Sequence, residues 1–191
     1  MVRHWGLVIG ALGALTASQH AAAQSDWGVV LNGRAVHVNA EKHWNEDNWG
    51  LGFEKEFNSG GHWVTAAVAN GFKDSMDNPS YMAGVTVKRR FRMFSGRFYF
   101  DAGVVSFLMT RHDVRHNAPF PGALPAVTFG GRHVAVNVTY MPGSVVDDVT
   151  HANLVDPNMS GVFFIQLKLD ASLFGFGSHR AAATFAQADD E

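Results

Sequence analysis

The chain has 191 residues, with 15 Lys+Arg against 17 Asp+Glu and a formal charge of −2. That length suits one domain, and that charge leaves no basic footprint for nucleic acid. Apolar residues make up 47% of it while mean hydropathy is only −0.04, so apolar and polar positions are interleaved. With 20 Gly and 15 Phe, the mix favours short strands and turns over helices. There is no cysteine, which excludes disulfides, thiolate metal sites and cysteine nucleophiles.

At the N-terminus, Arg3 and His4 precede an apolar run from Trp5 to Thr16, and Ala21-Ala22-Ala23 follow just before Gln24. A short basic region, a short apolar core and a small-residue A-x-A site read as a cleavable secretory signal over residues 1–23. The apolar run is too short to span a bilayer as a helix.

Beyond Gln24 the pattern changes to segments of roughly 9 to 13 residues that alternate with period two. The first runs from about Val29 to Asn39. In the second, Trp49, Leu51, Phe53 and Phe57 share one face, while Gly50, Gly52, Glu54 and Glu56 share the other. The third, His62 to Phe72, is small and apolar on both faces, and the fourth runs from about Tyr81 to Phe91. The fifth carries Phe98, Phe100, Ala102 and Val104 on one side, and the sixth covers about Ala123 to Phe129. The seventh sets Val134, Val136, Val138 and Tyr140 against His133, Asn137 and Thr139. The eighth sets Phe163, Ile165, Leu167 and Leu169 against Gln166 and Lys168.

The connections alternate as well. Asn58-Ser59-Gly60-Gly61, Ser95-Gly96 and Gly130-Gly131 suit tight hairpins, while 40–48, 73–80, 110–122 and 143–160 are long. Alternation alone also admits a soluble sandwich or a lipocalin-like barrel. The secretory signal, the aromatic outward face and the loop asymmetry favour an all-β, eight-stranded, antiparallel, up-and-down transmembrane β-barrel over residues 24–170. Its short turns and termini would face the periplasm. Residues 171–191 would form a periplasmic or disordered tail. Eight strands leave room for side chains or one slender ligand, not a solute pore.

Two features bear on chemistry. Phe72-Lys73-Asp74-Ser75 lies at the outer end of the third segment, and His37 lies near the outer end of the first. A histidine that accepts a proton, a carboxylate that orients, and a hydroxyl that donates to an oxyanion or attacks are the parts of acyl transfer. With 10 histidines in the chain, spacing alone does not single out this set. The small residues Ala66, Ala67, Ala69 and Gly71 either leave a lumen for one hydrocarbon chain or relieve crowding on a tilted strand.

Over about residues 30 to 169 the chain resembles the PagP-type lipid A palmitoyltransferases, which are eight-stranded outer-membrane enzymes. The resemblance rests on Gly71-Phe72-Lys73-Asp74-Ser75 and Ala83-Gly84, then on Pro119, Pro121 and Pro125. It continues in Thr139-Tyr140-Met141-Pro142-Gly143, with Asn45-Glu46 followed by Trp49-Gly50 and Gly52-Phe53 on the second strand. It implies transfer of an acyl chain from an outer-leaflet phospholipid to lipid A in the outer membrane. It also implies a rim histidine, aspartate and serine as the catalytic set, with no cofactor and no metal, in a monomer. Asp74 and Ser75 match the last two directly. His37 fits the histidine if the first outer loop is short, with His43 as its competitor. Pro125 and Pro142 match the prolines that flank the family's lateral opening between strands six and seven, whereas the pair between strands one and two has no counterpart. The family's N-terminal amphipathic helix has none either. Counting from Ser75, the glycine that floors the family's acyl pocket is Thr86 here, which implies a chain shorter than palmitate.

Other readings compete. A structural or adhesive barrel would have a lumen filled by bulky polar side chains and His37 far from Ser75. A hydrolase would use the same site with water as acceptor. Lys88, Arg89, Arg90 and Arg92 are expected to meet lipid phosphates or solvent at the periplasmic end. His112, His116 and His151 fall in outer loops, as do Asp147 and Asp148, and read as solvated. Trp27, Trp49 and Trp63 suit interfacial girdles.

Overall fold

The computed structural model describes residues 26–57, 62–150 and 156–176. The secretory signal, the Asn58–Gly61 turn, His151 and the end of the tail lie outside them.

Eight strands close into one barrel in sequence order: β1 (Trp27–Val38), β2 (Asp47–Glu56), β3 (Trp63–Lys73), β4 (Pro79–Met93), β5 (Phe98–Thr110), β6 (Phe120–Gly130), β7 (Val134–Pro142) and β8 (Gly161–Asp170). Each pairs antiparallel with its neighbours, and β1 closes on β8 from Gly28↔Asp170 to Val38↔Gly161. One rim carries the tight turns, for example Gly96 N–H to Met93 C=O at 3.1 Å. The outer rim carries the longer links, including the helix α1 (Gly143–Thr150) between β7 and β8. The tail begins as a 3₁₀ turn over Ala171–Phe174, capped by the Asp170 carboxylate on Ser172 N–H.

Alternation sorts the side chains as expected. Trp49, Leu51, Phe53 and Phe57 stand exposed on the exterior, with Val85, Val87, Phe91 and Leu108 continuing the apolar belt. No aqueous protein surface would leave such a continuous apolar face uncovered, so the belt is the lipid-facing wall of a membrane barrel.

The interior has two storeys. Near the tight-turn rim, Lys88, Arg90 and Lys168 are buried among Glu54, Glu56 and Asp101. Arg90 forks onto Asp101 at 2.8 and 2.9 Å and onto Glu56 at 3.2 and 3.3 Å, while Lys168 reaches Glu56 at 2.7 Å. Charges removed from water persist only when paired in this way. Lys88 and Arg90 therefore point into the lumen, not at lipid phosphates, because even positions of β4 face inward. Arg89 and Arg92 are exposed. Towards the outer rim the lumen turns apolar, built by Val68, Val105, Phe107, Met109, Phe120 and Leu124.

β6 begins at Phe120, three residues before the expected start, because Phe120 and Leu124 face inward and the β5 ladder extends to Met109↔Phe120. Pro121 and Pro125 share one strand parity, so both missing N–H groups fall on the same edge. The β5 edge is paired throughout. The β6–β7 ladder covers only Ala126↔Thr139 to Gly130↔Ala135. Above it, residues 120–125 and 140–142 have no ladder partners across the wall among the described residues.

Candidate active site

His37 reaches the lumen through a defect. On β1, Val30 and Asn32 point inward, and strict alternation would turn His37 out to lipid. The register shifts between Asn32 and Arg34 against both β2 and β8. That bulge at Gly33 swaps the faces, so Ala35 is buried and the His37 side chain is only 4% exposed.

Ser75 comes from the opposite direction, in the short link after β3. Asp74, 1% exposed, shapes that link. Its Oδ1 accepts the N–H groups of Met76 at 2.9 Å and Asn78 at 3.0 Å, and its Oδ2 accepts the Ser80 hydroxyl at 3.0 Å. Asp77, at φ 64, completes the turn. Asn45 ties the turn to the first outer loop: its N–H donates to Ser75 C=O at 3.2 Å and its side-chain amide to Asp74 C=O at 3.2 Å. The outcome is a hydrogen bond of 3.1 Å between His37 Nε2 and Ser75 Oγ.

The pair sits at the mouth of a cavity in two connected chambers. The outer chamber, about 200 Å³, is lined by His37, Ser75, Phe107, Met109, Leu124 and Met141, among others. Pro121, Gly122 and Ala123 line it on the β6 side, with Val145, Val146 and Val149 of α1 opposite, so it meets the gap in the wall. The inner chamber, about 90 Å³, shares Phe107, Met109 and Arg111 with the outer one and reaches Thr86 and Lys88. Thr86 points inward, 4% exposed, and its hydroxyl has no hydrogen-bond partner among the described residues. Below it Lys88 Nζ donates to Thr128 Oγ1 at 3.0 Å, and Thr128 donates to Asn137 at 2.7 Å.

The expected residues thus divide. His37 and Ser75 touch, and Thr86 lies deep in the cavity they open onto. Pro125 stands beside the last β6–β7 pair, and Pro142 ends β7 across the gap. Asp74 does not reach His37; its carboxylate is consumed by its own turn. His43 is exposed on the outer loop. The β1–β2 ladder ends at Arg34↔Asp47, and beyond it Ala35 N–H donates to Glu46 C=O at 2.9 Å.

Four more residues gather around the pair, of which only Glu46 falls within the motifs quoted above. Glu46 Oε1 lies 4.0 Å from His37 Nδ1 while its Oε2 holds Arg34 at 2.6 Å. Trp44 stacks on the His37 ring with centroids 5.5 Å apart and planes 14° from parallel. Arg111 lines both chambers, held as a fork on Asp113 at 3.0 and 3.0 Å, 3.9 Å from Asp74 Oδ2. Asp156 accepts the Trp44 indole N–H at 3.0 Å. That bond, with the Lys42 and Glu41 backbone N–H groups, holds the Asp156 carboxyl below its ordinary range.

Residues 28–154 match the family described as antimicrobial peptide resistance and lipid A acylation protein PagP. A protein of Methylobacillus flagellatus named lipid A acyltransferase PagP is 33% identical over 99 residues, covering 51% of this chain and 53% of that one. Its namesake in Legionella longbeachae is 34% identical over 105 residues, covering 54% and 45%. The one in Bordetella pertussis is 32% identical over 122 residues, covering 61% and 64%. The chain therefore spans about half to under two thirds of the length of these relatives. The family match covers most of the barrel, including β1 to β7 and the rim pair, and the chain belongs to the PagP family of outer-membrane β-barrels.

Proposed function

We propose that this protein is a lipid A acyltransferase, taking a fatty acyl chain from an outer-leaflet phospholipid and placing it on a lipid A hydroxyl, as a monomer among outer-membrane lipids. The observation that carries this is the His37–Ser75 pair at the mouth of an apolar cavity open to the wall. A barrel kept for structure alone has no need of a histidine–serine hydrogen bond above empty apolar space.

In this reading the donor's acyl chain lies down the cavity with its ester carbonyl at the rim. His37 Nε2 takes the proton from the lipid A hydroxyl as its oxygen bonds to the carbonyl carbon. The Ser75 hydroxyl turns from Nε2 to the developing oxyanion and donates to it. Collapse breaks the donor's ester bond, and the departing lysophospholipid oxygen recovers the proton from His37. Asp74 acts one step back, by presenting Ser75.

Chain length follows from depth. Ser80 at the rim and Thr86 at depth are six β4 residues apart, about 15 Å along the barrel axis at the usual rise and tilt. An extended hydrocarbon advances about 1.25 Å per carbon at normal bond lengths, so roughly twelve carbons fit above Thr86. The transferred chain is accordingly shorter than palmitate. Mass spectrometry of lipid A from a host without its own enzyme of this kind, expressing this protein, tests both statements. Addition of one chain, absent with Ser75→Ala, is expected; no added chain in the wild type overturns the function, and added palmitate overturns the length.

A further inference from the structure

The first and fourth outer loops are stitched together at one buried carboxylate. Asp156, 2% exposed, lies on the approach to β8. Its Oδ2 accepts the Glu41 N–H at 3.1 Å, the Lys42 N–H at 3.1 Å and the Trp44 indole N–H at 3.0 Å. Around it, Asn158 donates to Glu41 at 2.6 Å, Asn39 donates to Ser160 Oγ at 2.9 Å, and Ser160 N–H donates to Val38 C=O at 2.8 Å. The Trp44 ring held in this way lies flat on the His37 imidazole. Among the described residues His37 has no second hydrogen bond: its Nδ1 is buried without a partner there, and Glu46 stays 4.0 Å away. With one polar contact, to Ser75, the imidazole could rotate about its Cβ–Cγ bond. The Trp44 ring is stacked against it, with centroids 5.5 Å apart.

We propose that Asp156 and Trp44 are positioning residues that hold the His37 ring in register with Ser75, so that the fourth outer loop controls the reactivity of a histidine on the first strand. The reasoning is geometric. General-base transfer needs Nε2 within hydrogen-bond reach of the attacking hydroxyl, and a ring free to swing spends most of its time out of line. Stacking fixes the plane of the imidazole without using either nitrogen, so both stay available for proton transfer. Asp156 fixes the stack by anchoring the one polar atom of the indole. This rests on the acyl-transfer reading for its kinetic consequence, though not for the ring's immobility.

The test uses the whole protein folded in detergent micelles, with dilauroyl phosphatidylcholine as donor and lipid A as acceptor. Asp156→Ala is expected to lower kcat about ten- to a hundredfold, the scale of a misplacement of about 1 Å, with KM for the donor within about twofold. Trp44→Phe, which keeps a ring but loses the N–H, should retain more kcat than Trp44→Ala. Folded fraction, read by heat-modifiable gel mobility, normalises each rate. Independently of activity, the His37 ring protons should resonate upfield in the wild type, under the Trp44 ring current, and move towards solvent values in Asp156→Ala. Wild-type kcat in Asp156→Ala, equal rates for Trp44→Phe and Trp44→Ala, or unmoved His37 resonances would each overturn the proposal. A wild type that transfers nothing yet shows the resonance shift would reject acyl transfer and leave the immobilised ring standing.

Discussion

His37 Nε2 and Ser75 Oγ meet at 3.1 Å across the outer rim, although 38 positions separate them in the chain. His43, the alternative histidine, is exposed on the loop between. His37→Ala and Ser75→Ala should each reduce acyl transfer by about 10²- to 10⁴-fold, the range for a lost proton-transfer or oxyanion group. His43→Ala should stay within about twofold. Rates of radiolabelled acyl transfer in micelles measure all three, and an inactive His43→Ala with an active His37→Ala would reverse the assignment.

Asp74 binds two backbone N–H groups and the Ser80 hydroxyl. Asp74→Ala strips partners from a buried turn and should cost about 1–3 kcal/mol, along with most of the activity. Asp74→Asn keeps an acceptor oxygen for the two N–H groups and should lose much less of both. Urea unfolding and initial rates on the same samples decide. Were Asp74 instead needed for its charge beside the histidine, Asn would be as inactive as Ala.

Thr86 lines the inner chamber about 15 Å below the rim by strand rise and tilt. Thr86→Gly removes that side chain and should shift the added chain longer by about two to four carbons, as a methylene-scale ruler allows. Thr86→Met should shorten it. The lipid A mass distribution reads the shift directly.

Pro125 stands where the β6–β7 ladder stops at Ala126↔Thr139. Pro125→Ala restores a donor on the open edge and should let pairing extend upward by a residue or more. Hydrogen exchange at residues 123–125 should slow. Transfer from donor phospholipid in a bilayer should fall more than transfer from donor dispersed in detergent, because only the first depends on lateral access.

Arg90 bonds Asp101 and Glu56 within the inner storey. Arg90→Ala leaves both carboxylates buried without that partner and should cost about 3–5 kcal/mol, read by urea unfolding in lipid vesicles. The site lies in the other half of the lumen, so the rate per folded molecule should change little.

Much of this protein is legible in its linear pattern. Period-two alternation is local: it names the lipid-facing row from Trp49 to Phe57 and sets Glu54 and Glu56 on the inner face. Loop asymmetry is local too, and so is the turn chemistry of Asp74-Ser75. The arginines and lysines of β4 show where locality fails. Their parity is written in the sequence, but the partners that hold Lys88 and Arg90 inside include Thr128 on β6 and Glu56 on β2, strands not adjacent to β4 that face it across the lumen only once the barrel closes.

The amino-acid order by itself determined the eight strands and most of their inward and outward faces, because each depends on spacing along one strand; the candidate residues for acyl chemistry came from the family resemblance, since spacing did not single them out. Tertiary structure decided the rest. A bulge at Gly33, visible only as a register shift against two neighbouring strands, turns His37 from lipid to lumen. Asp156, 119 residues further along the chain from His37, reaches Trp44 because β8 closes on β1. A register shift and a ring closure are pairings between strands, and no single segment carries them.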